Sequence, residues 1–161
     1  MKVLLVLARK LGLSSAPSAD EEGWYVLKCT TTESPHILSI RPSLPSRAVR
    51  LRFPVEATLS CPYEDNETGL PAYEGDLHAM YSFEESLRER DPSKSVYLEA
   101  VRTTGSGQRS WTFYVQSEAA FRQLLGANVS QLLGETTEVS VKYRRDPKWS
   151  ALQDILSGIR A

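Results

Sequence analysis

Residues 55–143 read in the order strand, helix, strand, strand, helix, strand. That order predicts an α+β domain, the ferredoxin-like split βαβ arrangement: one antiparallel sheet with two helices on one face. Three observations carry the prediction. Apolar residues alternate along 55–61 and again along 138–143. Two further strand-like runs, 96–103 and 109–116, flank a glycine-rich connection. Between these runs lie two segments with apolar residues at spacings of three and four. A β-hairpin precedes this unit and a short C-terminal helix follows it.

The bulk composition fits one packed domain. The chain has 161 residues, 41% apolar and 24% charged, close enough to ordinary globular values that general disorder is excluded. Its net charge of −1 offers no global attraction to a polyanion, which weighs against nucleic acid and anionic membranes. The two cysteines, Cys29 and Cys61, are too few for a disulfide scaffold and fall in predicted strands, where a reduced thiol behaves as a small hydrophobe.

Residues 1–23 form a segment apart from the domain at 24–161. The apolar run from Val3 to Ala8 is cut off by Arg9 and Lys10, so it matches neither a signal peptide nor a membrane span. It reads as a short amphipathic helix over 1–13, followed by a small, polar linker over 14–23. A cytoplasmic protein follows as the default reading.

The domain opens with a hairpin, 24–30 returning through 36–41, turned by Glu33, Ser34 and Pro35. Apolar residues then alternate from Val49 through Leu51, Phe53, Val55, Ala57 and Leu59 to Cys61. Pro54 has no amide to donate and breaks this run, so 55–61 is the strand proper and 47–53 the less regular part. A loop over 62–73 leads into a helix over 74–90, with Leu77, Met80, Tyr81, Glu84 and Leu87 on its sheet-facing side. Asp91 and Pro92 end it. The hairpin 96–103/109–116 turns through residues that tolerate positive φ. Ser117 caps the second helix, which buries Ala119, Ala120, Phe121, Leu124 and Leu125, and Gly126 ends it, with a short turn at 131–133 beyond. The closing strand is followed by Asp146 and Pro147, a helix start, and by a helix over 150–159 carrying Leu152, Ile155 and Leu156 with Trp149 towards the sheet.

Few residues suggest chemistry. Glu84 lies on the face of its helix that meets the sheet, where a carboxylate must find a cation, stay solvated or take up a proton. Arg109 shares strand parity with Trp111, Phe113 and Val115, and is its candidate bidentate partner. Such a pair reads either as a recognition site at one end of the sheet or as an ion pair fixing helix against hairpin. His36 and His78 have no metal-ligand spacing around them, and no cofactor motif is present. Gly105-Ser106-Gly107 joins two strands and is a hairpin turn, not a phosphate loop. Trp111, Phe113 and Tyr114 faintly resemble the stacking aromatics of RNA-binding sheets, with Lys142, Arg144 and Arg145 as a small basic cluster.

Four local patterns resemble the bacterial domain-of-unknown-function family numbered 695. They are Cys61-Pro62-Tyr63 through Asn66 to Gly69-Leu70-Pro71; Leu77 with Phe83-Glu84-Glu85 and Leu87; Thr103-Thr104 with Gly107, Arg109, Trp111, Phe113 and Tyr114; and Asp146-Pro147 with Trp149. Together they span residues 24–157. That family is distantly similar to the regulator of ribonuclease activity B, which inhibits a ribonuclease by binding it. The resemblance implies a non-enzymatic protein-binding regulator. This chain lacks that regulator's long acidic segments. The contact surface would be an open sheet face or edge with the 62–73 loop, and its candidate residues are Glu84, Arg109, Tyr63, Asn66, Tyr73 and Trp149. An immunity protein against a bacterial toxin is the alternative reading. An RNA-binding module and an enzyme built on Glu84 with Tyr81 or Tyr97 stand behind it. The sequence names no partner and no oligomeric state.

Overall fold

The computed structural model describes residues 4–6, 23–30, 35–126, 129, 133 and 139–160. The fold is α+β. Its strands are β1 (Leu4–Val6), β2 (Tyr25–Thr30), β3 (Pro35–Ile40), β4 (Val55–Pro62), β5 (Tyr97–Gly105), β6 (Gln108–Val115) and β7 (Ser140–Arg145). Its helices are α1 (Arg47–Arg52), α2 (Glu74–Arg90), α3 (Glu118–Leu125) and α4 (Ser150–Arg160). Six strands form an open antiparallel sheet in the order β2-β3-β5-β6-β4-β7, and the three-residue β1 pairs against the outer edge of β2.

α2 and α3 pack on one face. Met80, Phe83, Leu87, Phe121 and Leu125 meet Ala57, Leu59, Cys61, Trp111, Phe113 and Val115 there. The register explains this set. Pairing puts Ala57 opposite Phe113, and Leu59 opposite Trp111, so one parity of each strand feeds one core. The ring of Phe83 meets Trp111 edge-on at 5.2 Å.

The other face is covered too. Phe53 and Val49 at α1, with Trp149, Leu152 and Leu156 at α4, pack on Leu27, Ile40, Ala100, Val101 and Tyr114. The sheet is therefore sandwiched between helices, and the expected open face is reduced to the part these two leave. Trp149 lies flat on Tyr114, ring centroids 3.8 Å apart, and its indole N–H donates to the carbonyl of Phe53 at 3.0 Å.

Three sequence readings need correction. The alternation over 47–53 is a helix, capped by the Ser46 hydroxyl, which accepts from the Val49 amide. Period two misled because Val49 and Phe53 also fit helical spacing, and the intervening Leu51 is 60% exposed. Leu4–Val6 is a strand where a helix was expected, because β2 offers it a free edge; the linker over 14–22 lies outside the described residues. On α2 the buried set is Met80, Phe83, Glu84 and Leu87, so Phe83 replaces Tyr81, which is 54% exposed. The turn at 131–133 lies outside the described residues apart from Leu133, as do the side chain of Cys29 and residues 31–34.

Other readings hold. α2 and α3 have the expected bounds and caps; the Ser117 hydroxyl accepts the Ala120 amide at 3.1 Å, and Gly126 ends α3 at a φ of 76°. The β5–β6 hairpin closes through Ser106 and Gly107, both at positive φ, the backbone a two-residue hairpin turn demands.

Asp91 pins the connection from α2 to β5. Its carboxylate accepts the amides of Ser95 (2.9 Å), Val96 (2.7 Å) and Tyr97 (3.2 Å). Burial pushes this carboxyl up, but those hydrogen bonds prevail and hold it below the usual carboxylate range. A depressed folded-state pKa gives stability that is complete above the unfolded value and is lost as pH falls through the folded one. Asp91→Ala is expected to lower unfolding free energy by about 2 kcal/mol at neutral pH. In urea titrations the gap between the variant and the original chain should close as pH falls below the ordinary carboxylate range. A gap that persists in acid would mean that the ionised carboxylate is not what holds the loop.

Candidate functional site

The site is a network of charges between α2 and the β5–β6 hairpin. Glu84, in the third turn of α2, is only 5% exposed. Its Oε1 accepts from Arg109 Nη2 at 2.5 Å, from Trp111 Nε1 at 2.7 Å, and faces Arg102 Nε at 3.2 Å. Its Oε2 faces the exposed Arg88, one helical turn on, at 3.8 Å. The expected Glu84–Arg109 pair exists, but it is not bidentate. The second prong of Arg109, Nη1, donates to Thr104 Oγ1 at 2.9 Å, and its Nε is buried with no hydrogen-bond partner among the described residues. The guanidinium sits between the rings of Trp111 (5.3 Å) and Tyr81 (5.6 Å), where cation–π attraction offsets part of that deficit.

Strand register assembles these groups. Trp111 stands opposite Arg102, and Arg109 opposite Thr104, so all four share the α2 face. A bulge at Ala100, between Glu99 and Val101, adds a residue to β5. It brings Glu99 and Arg102, three apart and so of opposite parity in a regular strand, onto one side. Arg102 donates to Glu99 Oε1 from Nε (3.0 Å) and Nη2 (2.7 Å) and so bridges the two carboxylates. Burial, with the nearby charge of Glu84, pushes the Glu99 carboxyl up against the opposing pull of Arg102. Burial works against the Arg102 charge, but the two carboxylates outweigh it and hold the guanidinium ionised. Beyond this network the first core stops. Trp24, Val26, Ile37 and Ser39 line the same face only partly buried, with Arg102 5.7 Å from the Trp24 ring.

The 62–73 loop runs alongside. Tyr63 and Asn66 hold it in shape. The Tyr63 hydroxyl donates to the Gly69 carbonyl at 2.8 Å, and Asn66 Oδ1 accepts from the Thr68 amide and hydroxyl and the Leu70 amide. Asp65 and Pro71 bridge across it, and the Tyr63 amide ties it to the Gly107 carbonyl in the β5–β6 turn. A Cβ on Gly107 would sit 3.2 Å from the Tyr63 carbonyl oxygen, so this close approach suits glycine. Tyr73, at the end of the loop, is 57% exposed. Of the six candidate residues, the structure places Glu84 and Arg109 together, and Tyr63, Asn66 and Tyr73 in the neighbouring loop. Trp149 is fully buried in the opposite core and is structural.

This arrangement holds one buried carboxylate among three guanidinium groups. Glu84 Oε1 accepts from Arg109 and Trp111 and faces Arg102, while Oε2 faces Arg88 at 3.8 Å, so the carboxylate is held among cations. Tyr97 is buried against Phe113 and Phe121, and burial lifts its phenol far above the usual range. Cys61 is a buried thiol pushed up to about 11, chiefly by burial, and is inert as a nucleophile at neutral pH. Among the described residues no cluster of His, Cys, Asp and Glu could hold a metal ion. Nor does β6 offer bases a platform: Trp111 and Phe113 go to one core and Tyr114 to the other. Sequence reasoning missed Arg102, Glu99 and the Trp111 N–H. Arg88 alone was readable, at four residues from Glu84.

Removing Glu84 would strand the buried guanidinium of Arg109, whereas Arg102 keeps Glu99. Glu84→Ala is expected to lower unfolding free energy by about 3–5 kcal/mol. Arg88→Ala, at an exposed pair, should change it by no more than about 1 kcal/mol. Equal losses from the two in chemical denaturation would show that the network is not desolvated.

A search of curated proteins and a search of solved structures each returned no match. A protein-family model, described as a family of unknown function (DUF695), matches residues 22–157. No helix among the described residues is long and apolar enough to cross a membrane. With most of its length under that model, the chain belongs to the family of unknown function DUF695.

Proposed function

We propose that this chain is a protein-binding domain that regulates a partner enzyme, and that it meets its partner along the exposed flank of α2 and the adjoining 62–73 loop. One observation carries the reading: the rings of Tyr73 and Tyr81 are left more than half exposed beside a loop already held rigid by its own hydrogen bonds. Exposed tyrosines on a preformed support are what an interface anchor requires, because little side-chain or loop freedom is lost on binding. Tyr81 is further braced by Arg109 beneath it. The donors that tie Glu84 Oε1 to the sheet support a structural, non-enzymatic role for this carboxylate.

The distant resemblance to a ribonuclease inhibitor that acts by binding supports the regulatory part. We also read β7-β4-β6-β5 with α2 and α3 as a ferredoxin-like split βαβ unit; the strand order and antiparallel pairing support that assignment. We take the protein to be bacterial, as the resemblance implies, and cytoplasmic.

The test uses the whole chain in its native host with a photo-crosslinker at Tyr81. It should couple to one protein, which is then purified. Tyr73→Ala with Tyr81→Ala should weaken that complex at least about tenfold without moving the thermal midpoint, whereas Gln153→Ala on α4 should leave it unchanged. Turnover of a small-molecule substrate that Glu84→Gln abolishes in folded protein would overturn the reading.

A further inference from the structure

The far edge of the sheet carries a second surface. β7 is its outermost strand on that side. It pairs with β4 from Val55 opposite Arg145 to Ser60 opposite Ser140, and its other edge has no ladder partner among the described residues. The strand is two-faced. Val141 and Tyr143 join the α2–α3 core, while Lys142 and Arg144 stand on the opposite face. Arg145 ends the strand and Lys148 follows in the next turn; both are exposed.

The charge here is unbalanced. Arg144 pairs with Glu56 at 2.6 Å and lies 4.0 Å from Asp146, but Lys142, Arg145 and Lys148 have no ion-pair partner among the described residues. The Asp146 carboxylate is already used by the Tyr114 hydroxyl at 3.0 Å and the Ala151 amide at 3.2 Å.

We propose that the outer edge of β7 accepts an extended acidic segment of a partner protein as an added strand. Backbone hydrogen bonds to β7 would hold it, and its carboxylates would face Lys142, with Arg145 and Lys148 at the end. The same cations reject the commonest competitor. A second copy paired through its own β7 would set lysine and arginine against lysine and arginine, which is how natural edge strands avoid self-association. This surface lies on a different element from the α2 flank, so it stands or falls independently of the proposed regulatory contact.

The probe is a fluorescein-labelled peptide alternating Glu with Val and Thr, titrated into the full-length chain. Binding should weaken as salt rises, and should slow amide hydrogen exchange in Ser140–Arg145. Lys142→Glu with Arg145→Glu, both at exposed positions, should weaken it by about tenfold or more with the fold intact. A peptide alternating Lys with Val and Thr should not bind. Tyr73→Ala with Tyr81→Ala should bind the acidic peptide as the original chain does. Three results would overturn the proposal: unchanged affinity after the charge reversals, a concentration-dependent dimer that those reversals abolish, or a uridine oligonucleotide bound more tightly through the same two cations.

Discussion

The carboxylate of Glu84 is the constraint around which one half of this molecule is arranged. It is carried into the interface between α2 and the sheet, where an ion without partners would be very costly. Two arginines and an indole N–H from two strands converge on one of its oxygens. Each donor is locked by a further contact: Arg109 by Thr104 and two aromatic rings, Arg102 by Glu99, Trp111 by Phe83. The network sets how α2 sits across β5 and β6, because a turned helix would break several charge-assisted bonds at once.

The opposite face relies mainly on packing, with polar anchors at Asp146 and at the Trp149 indole. Asp146 accepts from the Tyr114 hydroxyl and from the α4 backbone, and Trp149 then lies flat on Tyr114. Burial works against the Asp146 charge, yet the hydrogen bonds hold its carboxyl below the usual range, while burial and Asp146 lift the Tyr114 phenol. Each strand of the hairpin thus feeds two cores, Trp111 and Phe113 on one side and Tyr114 on the other. What helices cover on both faces cannot serve as a broad open platform. What the helices leave exposed lies at the rims: the tyrosines of the α2 flank and the basic edge at β7.

Much of this was legible in the chain itself. The alternation at 55–61, the three-and-four spacing over 74–90 and the Ser117 cap each reflect local physics: strand parity, helix pitch and an amide needing an acceptor. The Glu84–Arg109 contact was legible for the same reason, since parity and pitch both aim those residues inward. Leu51 and Tyr81 mark where that logic ends. Each fits an apolar stripe, yet each faces water, because period alone does not say which neighbour covers it.

The sequence alone determined the strand and helix order apart from β1 and α1, most caps and turns, and the charged pair at the sheet–helix interface, all set by contacts within a few residues or by simple periodicity. Tertiary structure alone decided the rest. Arg102 and Glu99 reach Glu84 because a bulge at Ala100 resets the parity of β5, and Trp149 became core because Tyr114 and the Phe53 carbonyl were there to receive it. Those outcomes depend on which strands lie side by side, and no local pattern in a chain encodes its neighbour.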